Sequence, residues 1–512
     1  MRRSINRQLV VPALLSIATG CISLLTGCVK DVNPSDSITT ASLTTTSSGL
    51  TDAVNGAYAL FKDHVEFEGS TDLNNMYLRQ YFQCSDFAGD DIVCGQTTTD
   101  PLFYSFTLDH TPDQPNTGYF WYISYKIIND ANTVIQAVQG ISNPDAATQQ
   151  LLGECYFLRA FCHFNLVNFF AMPYAQTPAG PGIILRTSVN DPAVKARATV
   201  QQVYQSVIQD AEQGAALMGQ SRGVTYATRQ AAWALLSRVF LYEANNDSTI
   251  YYSNQVINSG NFSLTTAATF PSMFANAATA TETIFCVAFT TIDDYGKAGS
   301  IASMLYTNGD SGWGEEYASA SLRDTMSAHP EDVRWSYILP DTVGGVVQTK
   351  NGIPIYYITK FSFQGGSPTL SSPILFRLAE MYLNRAEAEA KAGQTAAALN
   401  DVDQIRSNRG LQASLYNGVV PAGSTLLDVV LKERRIELAF EGHRPFDVYR
   451  NNLSMNRTYW GYHLPGLQSS DVNLAVNPTG YPDMIIAPTD PRIIYYIPIW
   501  EIQANSLCTQ NP

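Results

Sequence analysis

The sequence predicts a mainly α-helical protein: a helical, repeat-like scaffold carrying a loop-rich face and a few short strands. Three observations carry that prediction. Between Pro373 and Arg450, three helical patterns follow one another. Amphipathic stripes recur at Leu50–Phe61 and again from Tyr119 to Ile257. Two long stretches, 69–118 and 262–372, lose the helical period and mix Gly, Asp, Thr, Gln and Ser with aromatic residues. Irregular segments of that length are too long to be mere connectors, and on a rigid scaffold they are where function concentrates.

Residues 1–27 read as a targeting segment. Arg2, Arg3 and Arg7 precede a mostly apolar run from Leu9 to Leu25, and Leu25-Thr26-Gly27-Cys28 resembles a bacterial lipobox cleaved before Cys28. Acyl chains on Cys28 would contribute roughly 0.8 kcal/mol per buried methylene, enough together to hold the protein at a membrane without a spanning helix. Residues 28–49 are rich in Ser, Thr, Asp and Asn and read as a tether. The folded part divides into 50–260, with its irregular insert at 69–118, and 261–512, with an irregular region at 262–372, a helical stretch at 373–450 and a C-terminal tail.

The first helix is marked by Leu50, Val54, Ala57, Tyr58 and Phe61. Helices resume at Tyr119 with a stripe through Trp121, Tyr125, Ile128 and Ile135, followed by another through Leu151, Cys155, Leu158, Cys162, Leu166 and Phe169. Thr199 is a candidate N-cap for a helix carrying Val203 and Val207; Ala231 and Leu235 mark the next, and a short one spans Tyr251–Ile257. Strand-like pieces occur at Glu282–Phe289 and Ile353–Phe363.

From Ile374 to Lys391 the run ILFRLAEMYLNRAEAEAK reads as a helix, Thr395–Arg409 as its antiparallel partner, and LLDVVLKERRIELAFEGHRPFDVYR as a third helix ended by Pro445. Glu433, Glu437 and Glu441 recur at i, i+4 spacing among Arg434, Arg435 and Arg444, and predict a structural ion-pair network. The run from Glu433 to Asp447, the preceding RLAEMYLNRAEA from Arg377, and the ending Tyr496-Ile497-Pro498-Ile499-Trp500-Glu501-Ile502 together resemble the SusD/RagB family of outer-membrane nutrient-binding lipoproteins. Pro445 departs from that pattern, standing where an aromatic is common. The resemblance implies a SusD-like fold with four tetratricopeptide-like helix pairs as scaffold. It also implies a surface lipoprotein, lipid-anchored in the outer membrane of a Gram-negative bacterium, that captures oligosaccharides for a SusC-like TonB-dependent transporter without being an enzyme.

Composition agrees with a globular protein that meets neutral polar ligands: 45% of residues are hydrophobic, 11% aromatic and only 15% charged. A net charge of −14 without clustered Lys and Arg argues against nucleic acid. Scattered histidines without ligand spacing give no zinc site. Asp90-Asp91 and Asp293-Asp294 leave calcium open, structural or bridging a ligand. Export permits a disulfide between Cys84 and Cys94; the alternative is two buried thiols. Cys155 and Cys162, seven residues apart on one helix, are core residues.

A sugar ring presents an apolar C–H face and hydroxyl edges, so exposed aromatics beside short polar side chains suit it. Trp313, flanked by Gly312 and Gly314, is the leading candidate, with Asp310, Tyr306, Tyr317, Tyr77 and Tyr104 as further ones. Three alternatives stay open: a peptide-binding member of the same family, a helical-repeat adaptor, and a glycoside hydrolase using Glu437 and Glu441.

Overall fold

Six of the ten longer helices start on a side-chain cap. Thr46 accepts from the Gly49 amide, Asp145 from Thr148, Thr228 from Ala231 and Asn245 from Ser248. Thr199 with Gln202, and Thr425 with Asp428, form reciprocal capping boxes. The computed structural model describes residues 46–95, 102–457 and 485–512. The targeting segment, the lipobox Cys28 and the tether up to residue 45 lie outside the described residues.

The longer helices, numbered in chain order, are α1 (Ser47–Ala59), α2 (Tyr77–Asp86), α3 (Pro115–Gln139), α4 (Ala146–Phe170), α5 (Val200–Leu217), α6 (Arg229–Tyr242), α7 (Asn246–Ile257), α8 (Leu378–Lys391), α9 (Thr395–Asn408) and α10 (Leu426–Glu437). From α3 to α9 each helix packs on the next, α1 and α2 lie against α3, and α10 crosses α8 and α9. One array is thereby built across the 120 residues that separate α7 from α8 in sequence. Helix α4 is apolar and buried nearly all round, as expected of the array's central member. Among the described residues the strands are short and pair two by two.

Three local readings of the sequence are corrected. The stretch 69–118 holds α2 and a short helix, Phe103–Thr107. Every residue of α2 is buried, including Arg79, Gln80, Gln83, Ser85 and Asp86, so its polar and apolar positions show no helical stripe. Several of its polar groups are met inside: Arg79 donates to the Ala298 carbonyl at 2.9 Å, and the Asp86 carboxylate accepts the Gly442 amide at 3.0 Å. The run from Ile374 begins as a buried strand, Ile374–Arg377, paired antiparallel with Thr283–Cys286, and turns helical only at Leu378. The third helix stops at Glu437; Phe440 then adopts a φ of 68°, and Pro445 opens the next helix, Arg444–Arg450, instead of closing the previous one.

That turn delivers the charged face of α10 inward. Leu427 and Leu431 are only half-buried, whereas Glu433, Arg434 and Glu437 are buried. Glu437 accepts from Arg377 at 2.6 Å, from Arg409 at 2.7 Å and from Arg334 at 3.1 Å. Arg377 also binds Glu282 at 2.7 Å and Glu441 at 2.7 Å, and Lys360 binds Glu441 at 2.6 Å. Arg334 and Arg406 hold Glu433 at 2.6 and 2.9 Å, and Asp332 completes the fork on Arg334 at 2.6 Å. Five cations (Arg334, Lys360, Arg377, Arg406, Arg409) thus face five carboxylates (Glu282, Asp332, Glu433, Glu437, Glu441). Phe270 covers the Arg409 guanidinium at 3.9 Å and Phe274 the Lys360 ammonium at 4.8 Å. Flanking pairs extend the charge pattern: Arg434 binds Asp447 at 2.7 Å, Arg435 binds Asp91 at 2.8 Å, and Arg444 binds Asp90 at 2.5 Å.

Burial alone would raise the Glu437 carboxyl, but Arg409, Arg377 and Arg334 outweigh it and hold it well below the usual range. Glu441, buried against Arg377 and Lys360, moves the same way. A carboxylate lowered in the folded state contributes stability above its unfolded pKa and loses it as pH falls through the folded one. Denaturant unfolding is therefore expected to show stability draining below about pH 4.5. Glu437→Gln leaves three guanidiniums short of a counter-charge, and is expected to cost about 3–5 kcal/mol at neutral pH with a shallower acid dependence than the parent. An unchanged unfolding midpoint in this variant would refute the role given to Glu437.

Candidate functional site

The most exposed aromatic platform in the irregular region is the Trp313 loop, and its shape follows from short-range chemistry. The Trp313 and Gly314 amides both donate to the Ser303 carbonyl, at 2.7 and 3.0 Å, and the Glu315 amide donates to Met304 at 2.8 Å. At the tip, the Asn308 side-chain carbonyl accepts from the Asp310 amide at 3.4 Å, an Asx turn, and from the Ser311 amide at 3.2 Å. A Cβ on Gly312 would collide with the Tyr306 carbonyl, and Gly314, at φ +55°, would bring one to 2.6 Å from Thr307 Cγ2. The glycines around Trp313 are thus required because the loop closes on 306–307, and that closure leaves the indole 50% exposed.

Beside it stands a second group of rings. Tyr306, half-buried, meets Phe363 edge-on at 5.2 Å and Tyr357 at 5.6 Å. Phe363 is 40% exposed and sits at φ 74° in the turn before Gln364-Gly365-Gly366. Asp294 ties that turn down, accepting from Ser367 Oγ at 2.6 Å and Thr369 Oγ1 at 2.7 Å. The Lys297 ammonium lies 4.4 Å from the Trp313 ring centroid. Further along, His64 meets Tyr295 at 3.9 Å, and Lys62 pairs with Asp293 at 2.8 Å.

The sequence candidates are thereby sorted. Trp313, Tyr306 and the exposed Asp310 share the loop. Tyr104 is 37% exposed but belongs to the separate helix Phe103–Thr107. Tyr77 and Tyr317 are corrected: both are fully buried, Tyr77 against Phe61 and Phe120, and Tyr317 inside the ladder that pairs Glu316–Ala318 with Ile92–Cys94. An aromatic in a stretch without period reads alike whether it points in or out. Phe363 and Lys297 escaped sequence reasoning; the glycine-rich turn after Phe363 was the one available signal.

Cys84 and Cys94 form no disulfide in the structure. Cys84 Sγ takes the Asn116 amide at 3.6 Å, and Cys94 Sγ lies 3.8 Å from Glu316 Oε1. Asp90 and Asp91 are the counter-ions of Arg444 and Arg435, while Asp293 and Asp294 serve Lys62 and two hydroxyls. Among the described residues no group of three or more His, Cys, Asp or Glu side chains is placed to hold a metal. Glu437 and Glu441 are buried and ion-paired, Glu437 with Arg334, Arg377 and Arg409 and Glu441 with Arg377 and Lys360, whereas hydrolytic carboxylates flank a glycosidic bond in an open cleft.

Comparison with known proteins places these features. Residues 50–241 match a family profile described as "Starch-binding associating with outer membrane", and residues 285–512 match the profile of the SusD family. A curated relative, SusD-like protein P38 of Formosa agariphila, is 26% identical over 426 residues, spanning 75% of this chain and 82% of its own. A solved SusD superfamily protein from Bacteroides thetaiotaomicron superposes with a TM-score of 0.79 at 27% identity, covering 91% of this chain and all of its own. A SusD-like carbohydrate binding protein from Bacteroides vulgatus shares the fold, with a TM-score of 0.73 at 19% identity over 90% of this chain and 97% of its own.

Two measurements check the local geometry. Gly312→Ala is expected to open the loop, shifting Trp313 emission to the red while the melting temperature stays within about 4 °C; unchanged emission would mean that the loop is not closed on Tyr306. In denaturant, the form starting at residue 29 is expected to titrate six thiols (Cys84, Cys94, Cys155, Cys162, Cys286 and Cys508). A titre lower by one pair would restore the disulfide.

Proposed function

This chain belongs to the SusD/RagB family, and from that premise we propose that it is a cell-surface glycan-binding lipoprotein that captures oligosaccharides and delivers them to a SusC-like TonB-dependent transporter in the outer membrane. The observation that carries the reading is the half-exposed Trp313, fixed on a closed loop beside Tyr306 and Phe363. An indole held in one orientation covers the C–H face of a pyranose without first being ordered, and that saving goes directly into affinity. Asn308, Asp310 and Ser311 at the loop tip supply donors and acceptors for hydroxyls beside it.

Binding without turnover is supported by the chemistry around the platform. Carboxylates around it are engaged or exposed: Asp293 is paired with Lys62, Asp294 accepts two hydroxyls, Glu315 pairs with Lys350 at 3.6 Å, and Asp310 is exposed at the loop tip. Attachment through lipidated Cys28 fits a chain in which, among the described residues, no helix is long and apolar enough to cross a membrane. Part of the helical array would dock on the transporter, and the tether would let the protein hinge over it.

Native affinity gels of the form starting at residue 29, run through a panel of polysaccharides, test the reading. Retardation by at least one polysaccharide is expected, weakened about tenfold or more, that is by about 1.4 kcal/mol or more, in Trp313→Ala. No new reducing ends are expected in the same mixtures. Failure of every polysaccharide to retard the protein would overturn the glycan reading, and reducing-end release would overturn the non-enzymatic one.

A further inference from the structure

A cavity of ≈ 360 Å³ lies away from the Trp313 loop, between α3, the segment 184–193 and the C-terminal helix Ile499–Ala504. Its size falls at the lower end of the range for small-molecule sites, about 300–1,000 Å³. We propose that it is a second saccharide site, accepting one or two neutral sugar units; this rests on the glycan-binding reading given above.

The chemistry of the lining selects the ligand. Its charged groups are already engaged by the protein. Arg186 donates to the carbonyls of Pro192 and Ala193, and Asp191 accepts from Lys195 Nζ at 2.8 Å and from the Thr187 amide at 2.7 Å. What stays available is mostly uncharged, with the Glu501 carboxylate as the exception. The Tyr122 hydroxyl and the Asn129 side-chain amide hold no protein partner among the described residues, and Ser188 Oγ, which accepts from the Asn190 amide at 3.1 Å, keeps its proton to donate. Glu501 takes the Trp121 indole N–H at 3.4 Å and the Asn505 amide at 3.1 Å, and has lone pairs to spare for hydroxyls. The rings of Tyr122 and Trp500 give the apolar wall. Aromatic faces edged by hydroxyl, amide and carboxylate groups match a pyranose, whose C–H face the rings cover and whose hydroxyls the polar groups pair.

The cavity is also joined to the Trp313 side of the protein by one short segment. Phe67 packs on Tyr122 at 5.3 Å and on Trp500 at 6.3 Å. Three residues earlier, His64 packs on Tyr295, and Lys62 pairs with Asp293. A ligand seated in the cavity therefore touches the wall whose other end borders the loop region.

Saturation-transfer NMR on the Trp313→Ala protein, with free glucose, galactose, mannose, xylose, rhamnose and N-acetylglucosamine as probes, isolates the cavity. At least one sugar is expected to give a signal in that background. The signal is expected to drop about tenfold or more when Ser188→Trp, a change on an exposed loop, plugs the mouth, and likewise in Tyr122→Ala/Asn129→Ala. A signal that survives Ser188→Trp, or no signal from Trp313→Ala while the parent protein is retarded by polysaccharide, overturns the second site and leaves the proposed function standing. No signal together with no retardation of the parent protein overturns both.

Discussion

Everything else in this structure leans on the salt-bridged knot around Glu437. Taking ten charged groups out of water is costly, and their mutual attraction offsets that cost only when every guanidinium and carboxylate is met in good geometry. Here they are: Arg377 engages three glutamates, Arg409 two, and the Glu437 carboxylate three arginines. Apolar residues of equal volume would often be at least as stable in such a place, so the gain is in specificity. Apart from the Asp332–Arg334 pair, the charges are met by partners from other segments, so satisfying them ties those segments to one another. Those segments are far apart in the chain. Glu282, Asp332, Arg334 and Lys360 belong to the irregular region, and Arg406, Arg409, Glu433 and Glu437 to the helices.

A region whose strands pair only two by two has little cooperative structure of its own. Its order comes from where it is pinned. Two residues before Lys360, the Ile358 amide donates to the Leu305 carbonyl at 3.0 Å, and the adjacent Tyr357 ring supports Tyr306. The Trp313 loop closes on the same 303–307 segment. Between the buried charges and the exposed indole there are only a few links, each a hydrogen bond or a ring contact. Precision at the ledge is therefore set in part by the ion pairs behind it.

This arrangement also explains what was legible in the sequence. Helical stripes announced α1 and α5 because one face of each meets solvent, and α4 was legible from its long, mostly apolar run. They failed for α2, where both faces are buried and the polar residues bond internally. Glutamates at i, i+4 spacing beside arginines disclosed a network at 433–444, yet no local pattern could name Glu282, Arg334, Lys360 or Arg409, since the pairing is long-range. Ile374–Arg377 looked helical because a short apolar run carries either period; its partner strand, ninety residues earlier, decides the matter. Trp313 was found for a partial reason. Its glycines open the indole, but they are needed for loop closure, which only the position of the Tyr306 carbonyl reveals.

An open ledge of a few rings suits capture better than tight holding. Each stacked aromatic adds about 0.5–1.5 kcal/mol beyond the area it covers, so under the proposed function Trp313, Tyr306 and Phe363 together would give modest affinity for a single short segment. Under the proposed function, modest affinity would let a ligand leave for a transporter, and it need not limit capture. A polysaccharide offers the same segment many times over, and a tethered protein meets it again at high effective concentration after each dissociation. A second site on the scaffold side would act by that same arithmetic, lengthening the residence of a long chain while each sugar unit still exchanges quickly.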